Sequence, residues 1–265
     1  MALLRRDGTA LWYEEEGSGG PPLLLVHGFA GTHAHLAPLF DHYRKSRRVV
    51  TVDRRGHGHS DAPDQTYTIE GFADDLAWLI VELGLNRPVV VVHSMDAIGL
   101  DLAARHPELV GALVLLDGPT FPSPEARAGL EQALAGLRTP GYRDVLAYVA
   151  DNIAFLPGDR SDRKAAIVEA MAATRQDVIV STLQEYLAYD NAAAVAGCSA
   201  PILYVGAAFA QTCDLARFRA LAPQLIVGQT VGAGHFVMLE VPDQVIGMMD
   251  RFLAMISEPA LAPNA

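Results

Sequence analysis

Short unbroken apolar runs alternate along this chain with longer stretches whose apolar residues recur at helical spacing. Leu23–Val26, Val49–Val52, Val89–Val92, Ala112–Leu116 and Ile202–Val205 are leucine-rich or β-branched runs, the pattern of strands covered on both faces. Ala10–Glu15 is an edge-type strand ahead of the turn Gly17-Ser18-Gly19-Gly20-Pro21-Pro22, and Leu225–Val231 predicts the last strand. Helical patterns fill about 33–45, 69–84, 96–106, 214–222 and 242–256. The alternation predicts an α/β fold, a mostly parallel sheet flanked by helices with right-handed crossovers. In such sheets ligand sites form at the carboxyl ends of the strands.

One segment breaks the rhythm. Between Asp117 and Ile202 the chain has helical periodicity but no convincing strand, with Pro119, Pro122 and Pro124 at its start and Pro140-Gly141 and Pro157-Gly158 inside it. A structureless loop of that length does not suit a compact domain. Residues 119–199 are therefore expected to form a helical cap inserted after the sixth sheet strand, with 1–118 and 200–265 as the core. The Pro/Ala-rich tail Glu258–Ala265 is expected to fray.

Composition narrows the class. A chain of 265 residues with 51% apolar content can bury a large core. A net charge of −11 excludes a nucleic-acid partner, which needs a basic face. Arg5-Arg6 and Arg44-Lys45-Ser46-Arg47-Arg48 read as solvated surface. The two cysteines, Cys198 and Cys213, read as reduced buried thiols. The first residues lack the apolar core of a signal peptide, and no run reaches membrane-span length, so no membrane partner and a cytoplasmic location are expected. No metal-type spacing of Asp, Glu and His and no dinucleotide fingerprint occur, so no cofactor is expected. A homodimer stays open.

The candidate chemistry falls at strand ends. His93-Ser94-Met95-Asp96-Ala97 lies between a β-run and a helix, the layout of a nucleophile elbow, although Val92 and Asp96 stand where the pattern wants glycine. After Leu23–Val26 comes His27-Gly28-Phe29, where a backbone N–H past the glycine can supply half an oxyanion hole, with Met95 N–H as the other half. Asp53-Arg54-Arg55-Gly56-His57-Gly58-His59-Ser60 reads as a tight loop tied by Asp53 and Arg55. His235, in Gly232-Ala233-Gly234-His235-Phe236, follows the last strand.

On these four motifs, in this order, residues 8 to 256 resemble the α/β-hydrolase fold superfamily, in its cap-bearing, serine-nucleophile, esterase- and lactonase-like branch. The resemblance implies acyl transfer with Ser94 as nucleophile, His235 as base and the Phe29 and Met95 amides as oxyanion hole. Many relatives carry the triad acid three residues after a glycine that here is Gly206, a place held by Phe209. Two substitutes remain, Asp117 at the end of Ala112–Leu116 and Asp214. Asp117 is preferred because some relatives place their acid there, whereas helix capping explains Asp214.

Asp96 is expected to point away and pair with a cation or hydrogen-bond donor, or else to select substrate or tune the site. His33 and His35 either line the pocket or lie on the surface. Tyr142, Tyr148, Tyr186, Tyr189 and Phe155 are either pocket walls or the cap's own core. The expected partner is a small ester or lactone, including an acyl-homoserine lactone. C–C bond hydrolysis, other cofactor-free chemistry on the same residues, or a catalytically silent binding protein are the alternatives.

Overall fold

The computed structural model describes residues 1–156, 160–208 and 213–257. Phe209, Pro157-Gly158 and the tail Glu258–Ala265 lie outside the described residues. One sheet holds eight strands: β1 (Ala2–Arg6), β2 (Thr9–Glu16), β3 (Leu23–Val26), β4 (Val49–Asp53), β5 (Val89–His93), β6 (Ala112–Leu116), β7 (Ile202–Gly206) and β8 (Leu225–Gln229). Their order is β1-β2-β4-β3-β5-β6-β7-β8. β1/β2 and β2/β4 are antiparallel, and every other pair is parallel. β3, β4, β5 and β6 are buried at every position. That burial is why these strands read as continuous apolar runs rather than as alternation.

β1 was not expected. Ala2–Arg6 is mostly exposed and pairs only with β2, so no buried face marks it. Its signal is Asp7-Gly8, both at positive φ (49° and 83°), a two-residue hairpin turn of the mirror-image type. The last strand ends at Gln229 rather than Val231.

The helices outside the 117–201 stretch are α1 (Ala37–Tyr43), α2 (Ile69–Glu82), α3 (Asp96–Arg105), α9 (Leu215–Leu221), α10 (Val237–Glu240) and α11 (Pro242–Ser257), with a 3-10 turn over His33–Leu36. Thr68 caps α2 by accepting from Gly71 N–H at 2.9 Å. Between β6 and β7 run α4 (Pro124–Leu137), α5 (Tyr142–Val149), α6 (Ser161–Ala172), α7 (Gln176–Ala188) and α8 (Asn191–Gly197), with a π turn over Ala150–Ala154. No strand occurs there among the described residues. Among them, too, no helix is long and apolar enough to cross a membrane. Cys198 and Cys213 are free and buried.

Candidate active site

β5 and β6 end side by side, and each is followed by a residue in the left-handed region. Ser94 N–H donates to Leu116 O (2.9 Å) and Asp117 N–H donates to Val205 O (2.9 Å), so both continue the parallel ladder by one bond. Then Ser94 (φ 64°) and Asp117 (φ 52°) swing the chain out of the sheet. Such backbone costs about 1–3 kcal/mol per residue and persists only where surrounding packing imposes it. Met95 N–H leans back over the turn to His93 O at 2.6 Å.

His235 lies on the loop after β8, and three groups fix that loop. Its own N–H donates to Ala154 O (2.7 Å) in the π turn. The flanking N–H groups of Gly234 and Phe236 donate to the Glu240 carboxylate at 2.7 and 3.1 Å. His93 Nε2 lies 3.0 Å from His235 O, and since a carbonyl only accepts, that nitrogen carries the proton. Burial, then the neighbouring His235, holds His93 well below the usual imidazole range, so it stays neutral. Glu240 and His93 were not singled out as positioning groups from the sequence. Glu240 had a signal in its place just past the histidine loop, and His93 had none beyond its adjacency to Ser94.

His235 Nδ1 stands 2.8 Å from Asp117 Oδ2. Asp117 is 2% exposed, and its Oδ1 accepts the Ala207 N–H at 2.7 Å. Both carboxylate oxygens therefore have a donor, and His235 is held in the Nδ1–H tautomer. Asp214 is elsewhere: its Oδ1 accepts Arg217 N–H at 3.0 Å as the N-cap of α9.

Ser94, His235, Asp117, Phe29 and Met95 all line one cavity of about 390 Å³. Its far side comes from the β6–β7 helices, through residues such as Leu130, Leu137, Leu146, Met171 and Leu183. Neither lysine nor arginine lines it among the described residues. Glu125, on exposed helix surface, is its one carboxylate apart from Asp117.

Asp96 does not line this cavity. A substrate-contacting role for it is corrected by its geometry. The side chain is fully buried, turned onto Thr120 Oγ1, which donates to Oδ2 at 2.8 Å, while Oδ1 has no partner among the described residues. Burial, then the nearby Asp117 charge, pushes its carboxyl well above the usual range despite the Thr120 hydrogen bond. Burial in the first helical turn thus opposes a negative charge on this side chain.

Other expectations resolve plainly. His35 neither lines the pocket nor lies on the surface; it is buried and meets Phe236 edge-on. His33 is half-buried on Asp53. Of the aromatic candidates, Tyr186 lines the cavity, with Oη donating to Pro119 O at 2.7 Å, and Phe155 stacks on Phe236. Tyr148 is 67% exposed, and Tyr142 is buried. The β4 loop is tied as expected, Asp53 accepting backbone N–H groups and Arg55 pairing with Asp75.

A family model described as alpha/beta hydrolase fold matches residues 21–242. The chain belongs to this family. Among curated relatives of this α/β hydrolase, 2-(acetamidomethylene)succinate hydrolase of Mesorhizobium japonicum is 28% identical over 250 residues, covering 90% of both chains. The putative carbamate hydrolase RutD of Caulobacter vibrioides is 32% identical over 203 residues, 72% of this chain and 73% of that one. Among solved structures, the enol-lactonase from Burkholderia xenovorans superposes with a TM-score of 0.82 at 25% identity, covering 96% of this chain and 100% of that chain.

Proposed function

We propose that this α/β hydrolase cleaves a small, uncharged carboxylic ester or lactone through an acyl-enzyme on Ser94, with residues 119–199 acting as a cap over the site. The observation that carries the reading is the 2.8 Å contact of His235 Nδ1 with Asp117, on a cavity that Ser94 shares. With Nδ1–H given to Asp117, Nε2 is free to act as base. Ser94 Oγ attacks the carbonyl carbon while His235 takes its proton. The oxyanion is received by the Phe29 N–H and by the Met95 N–H, which the oxyanion shares with His93 O. Collapse expels the alcohol, or opens the lactone ring, with the proton returned from His235. Water, deprotonated by His235, then attacks the acyl carbon and releases the acid.

The lining selects the substrate's charge. A carboxylate brought into this apolar cavity meets no cation among the described residues and faces Asp117, so it loses its hydration without a partner. A succinate-type dicarboxylate, such as the Mesorhizobium japonicum relative's name contains, is disfavoured on that ground. The volume lies within the range of small-molecule sites.

The test is a panel of p-nitrophenyl esters and lactones with neutral or carboxylate-bearing acyl groups. Wild type is expected to favour the neutral members, and Ser94→Ala to lose activity by about 10⁴-fold or more. Equal rates in the two proteins would remove Ser94 from the mechanism, and a preference for carboxylate-bearing acyl groups would overturn the substrate class.

A further inference from the structure

A second cluster of chemistry-bearing side chains lies on the loops after β3 and β4. His33 Nδ1, the Asp53 carboxylate and His59 Nδ1 come together with their ligand atoms all within 4.8 Å of one another. Sequence spacing does not reveal the group, because His33 follows β3 while Asp53 ends β4 and His59 sits six residues on. The fold, not spacing along the chain, brings the three together.

Asp53 is fully buried, and two backbone donors hold it independently of the imidazoles. His33 N–H reaches Oδ1 at 2.7 Å and His59 N–H reaches Oδ2 at 2.9 Å. The carboxylate is thus fixed in place by the backbone. The two imidazole nitrogens add contacts of 3.0 Å (His33) and 3.1 Å (His59) to it. The edge between ligands of a tetrahedral zinc ion with bonds of about 2.0–2.1 Å is about 3.3 Å, near both nitrogen–carboxylate contacts, and the three ligand atoms, all within 4.8 Å of one another, would draw together around a cation. The imidazole protons that now bridge to Asp53 sit at Nδ1; moving each to Nε2 presents two lone pairs to the same point. Trp12 packs its indole against both rings, 4.1 Å from His33 and 5.3 Å from His59, and so restrains both ring orientations. The His59 side chain is 65% exposed, which gives an ion access from solvent.

We infer that His33, Asp53 and His59 form a binding site for a zinc-class divalent transition ion, with at least one coordination position left to water. Two imidazole nitrogens and one carboxylate oxygen favour zinc and its neighbours over calcium or magnesium, which take oxygen ligands. A bound ion ties the loop after β3, which also carries Phe29, to the loop after β4. Ser94, His235 and Asp117 are not ligands, so this site stands apart from the proposed acyl transfer.

The experiment titrates chelator-treated full-length protein with Zn²⁺ by calorimetry, and with Co²⁺ by visible absorption and Trp12 fluorescence in a Trp78→Phe background. One equivalent should bind, with quenching of Trp12 and a rise in Tm on adding Zn²⁺. His33→Gln and His59→Gln should each weaken binding at least as much as the roughly 10–100-fold that loss of an outer-shell partner costs. His42→Gln and His106→Gln, at surface histidines elsewhere, should leave it unchanged. Metal-free Tm within a few degrees of wild type establishes that the variants fold; if His33→Gln does not, His59→Gln, at the exposed position, carries the test. No binding at millimolar metal overturns the proposal, as does binding that survives loss of either ligand or is lost equally in His106→Gln.

Discussion

The Asp96 carboxyl occupies the space that a side chain at Gly118 would fill: a Cβ built on Gly118 overlaps the Asp96 carboxyl carbon and both oxygens. The second irregular flank of the elbow is accommodated in the same way. A Cβ on Gly99 of α3 would stand 2.8 Å from Val92 Cγ2, so the strand–helix approach that glycine at 92 would allow is restored from the helix. The small residues have moved to the other side of each contact.

Gly118→Ala should therefore destabilise the protein by about 1–3 kcal/mol through overpacking. The same change made in an Asp96→Ala background should cost far less, giving a strong coupling in a double-mutant cycle measured by urea unfolding. Additive effects would contradict the contact.

Asp96 also predicts a pH signature. Its folded pKa is raised above the ordinary value of 3.8 by burial and by Asp117. Between the two values the folded protein holds a proton that the unfolded chain has released, so this group's contribution to stability falls as pH rises above about 4. Asp96→Asn mimics the neutral acid and removes that penalty. The variant should gain on wild type in unfolding free energy as pH goes from 4 to 8. A constant difference across that range would contradict the raised pKa of Asp96.

Four buried histidines act in the opposite direction. Burial lowers His27, His35, His57 and His93, with the Arg54 charge adding to the effect on His27 and His57. His35 falls to about 4 and His57 to about 3. Their stabilisation is present above the unfolded value near 6.5 and is lost as pH falls below it, each contributing up to about 1.4 kcal/mol per pH unit. Equilibrium unfolding between pH 7 and pH 5 should show a steep loss of stability, one that His57→Gln makes shallower. A flat profile would contradict neutral burial.

The assignment of the acid separates two aspartates. Asp117→Asn leaves His235 without the partner that fixes its tautomer and should lower kcat by about 10⁴-fold. Asp214→Asn should leave kcat unchanged, because its role is to cap α9, and Asn caps about as well as Asp. Steady-state kinetics on a neutral ester checks both, and the reverse ranking would move the acid.

Much of this was legible in the sequence for physical reasons that differ by element. The buried parallel strands announce themselves because both faces are covered, which leaves no polar position in Val89–Val92 or Ala112–Leu116. β1 was missed because its residues are largely exposed and only a hairpin turn marks it. Ser94, Asp117 and His235, which line one cavity, each follow a strand that could be read. The state of Asp96 could not be read, because it depends on Gly118 and Thr120, more than twenty residues away. The His33–Asp53–His59 group was hidden for a related reason: adjacency of β3 and β4 in the sheet, not spacing along the chain, assembles it.

The most direct test of the account is the mass of the protein caught during turnover. A slow p-nitrophenyl carbamate or an uncharged p-nitrophenyl alkylphosphonate diester is mixed with wild type, quenched with acid and digested. One adduct is expected, on the peptide that contains Ser94, formed with a stoichiometric burst of p-nitrophenol and absent from Ser94→Ala. Hydrolysis of the neutral ester by wild type with no adduct on Ser94 from either reagent, or an adduct elsewhere whose loss removes activity, would contradict the acyl-enzyme.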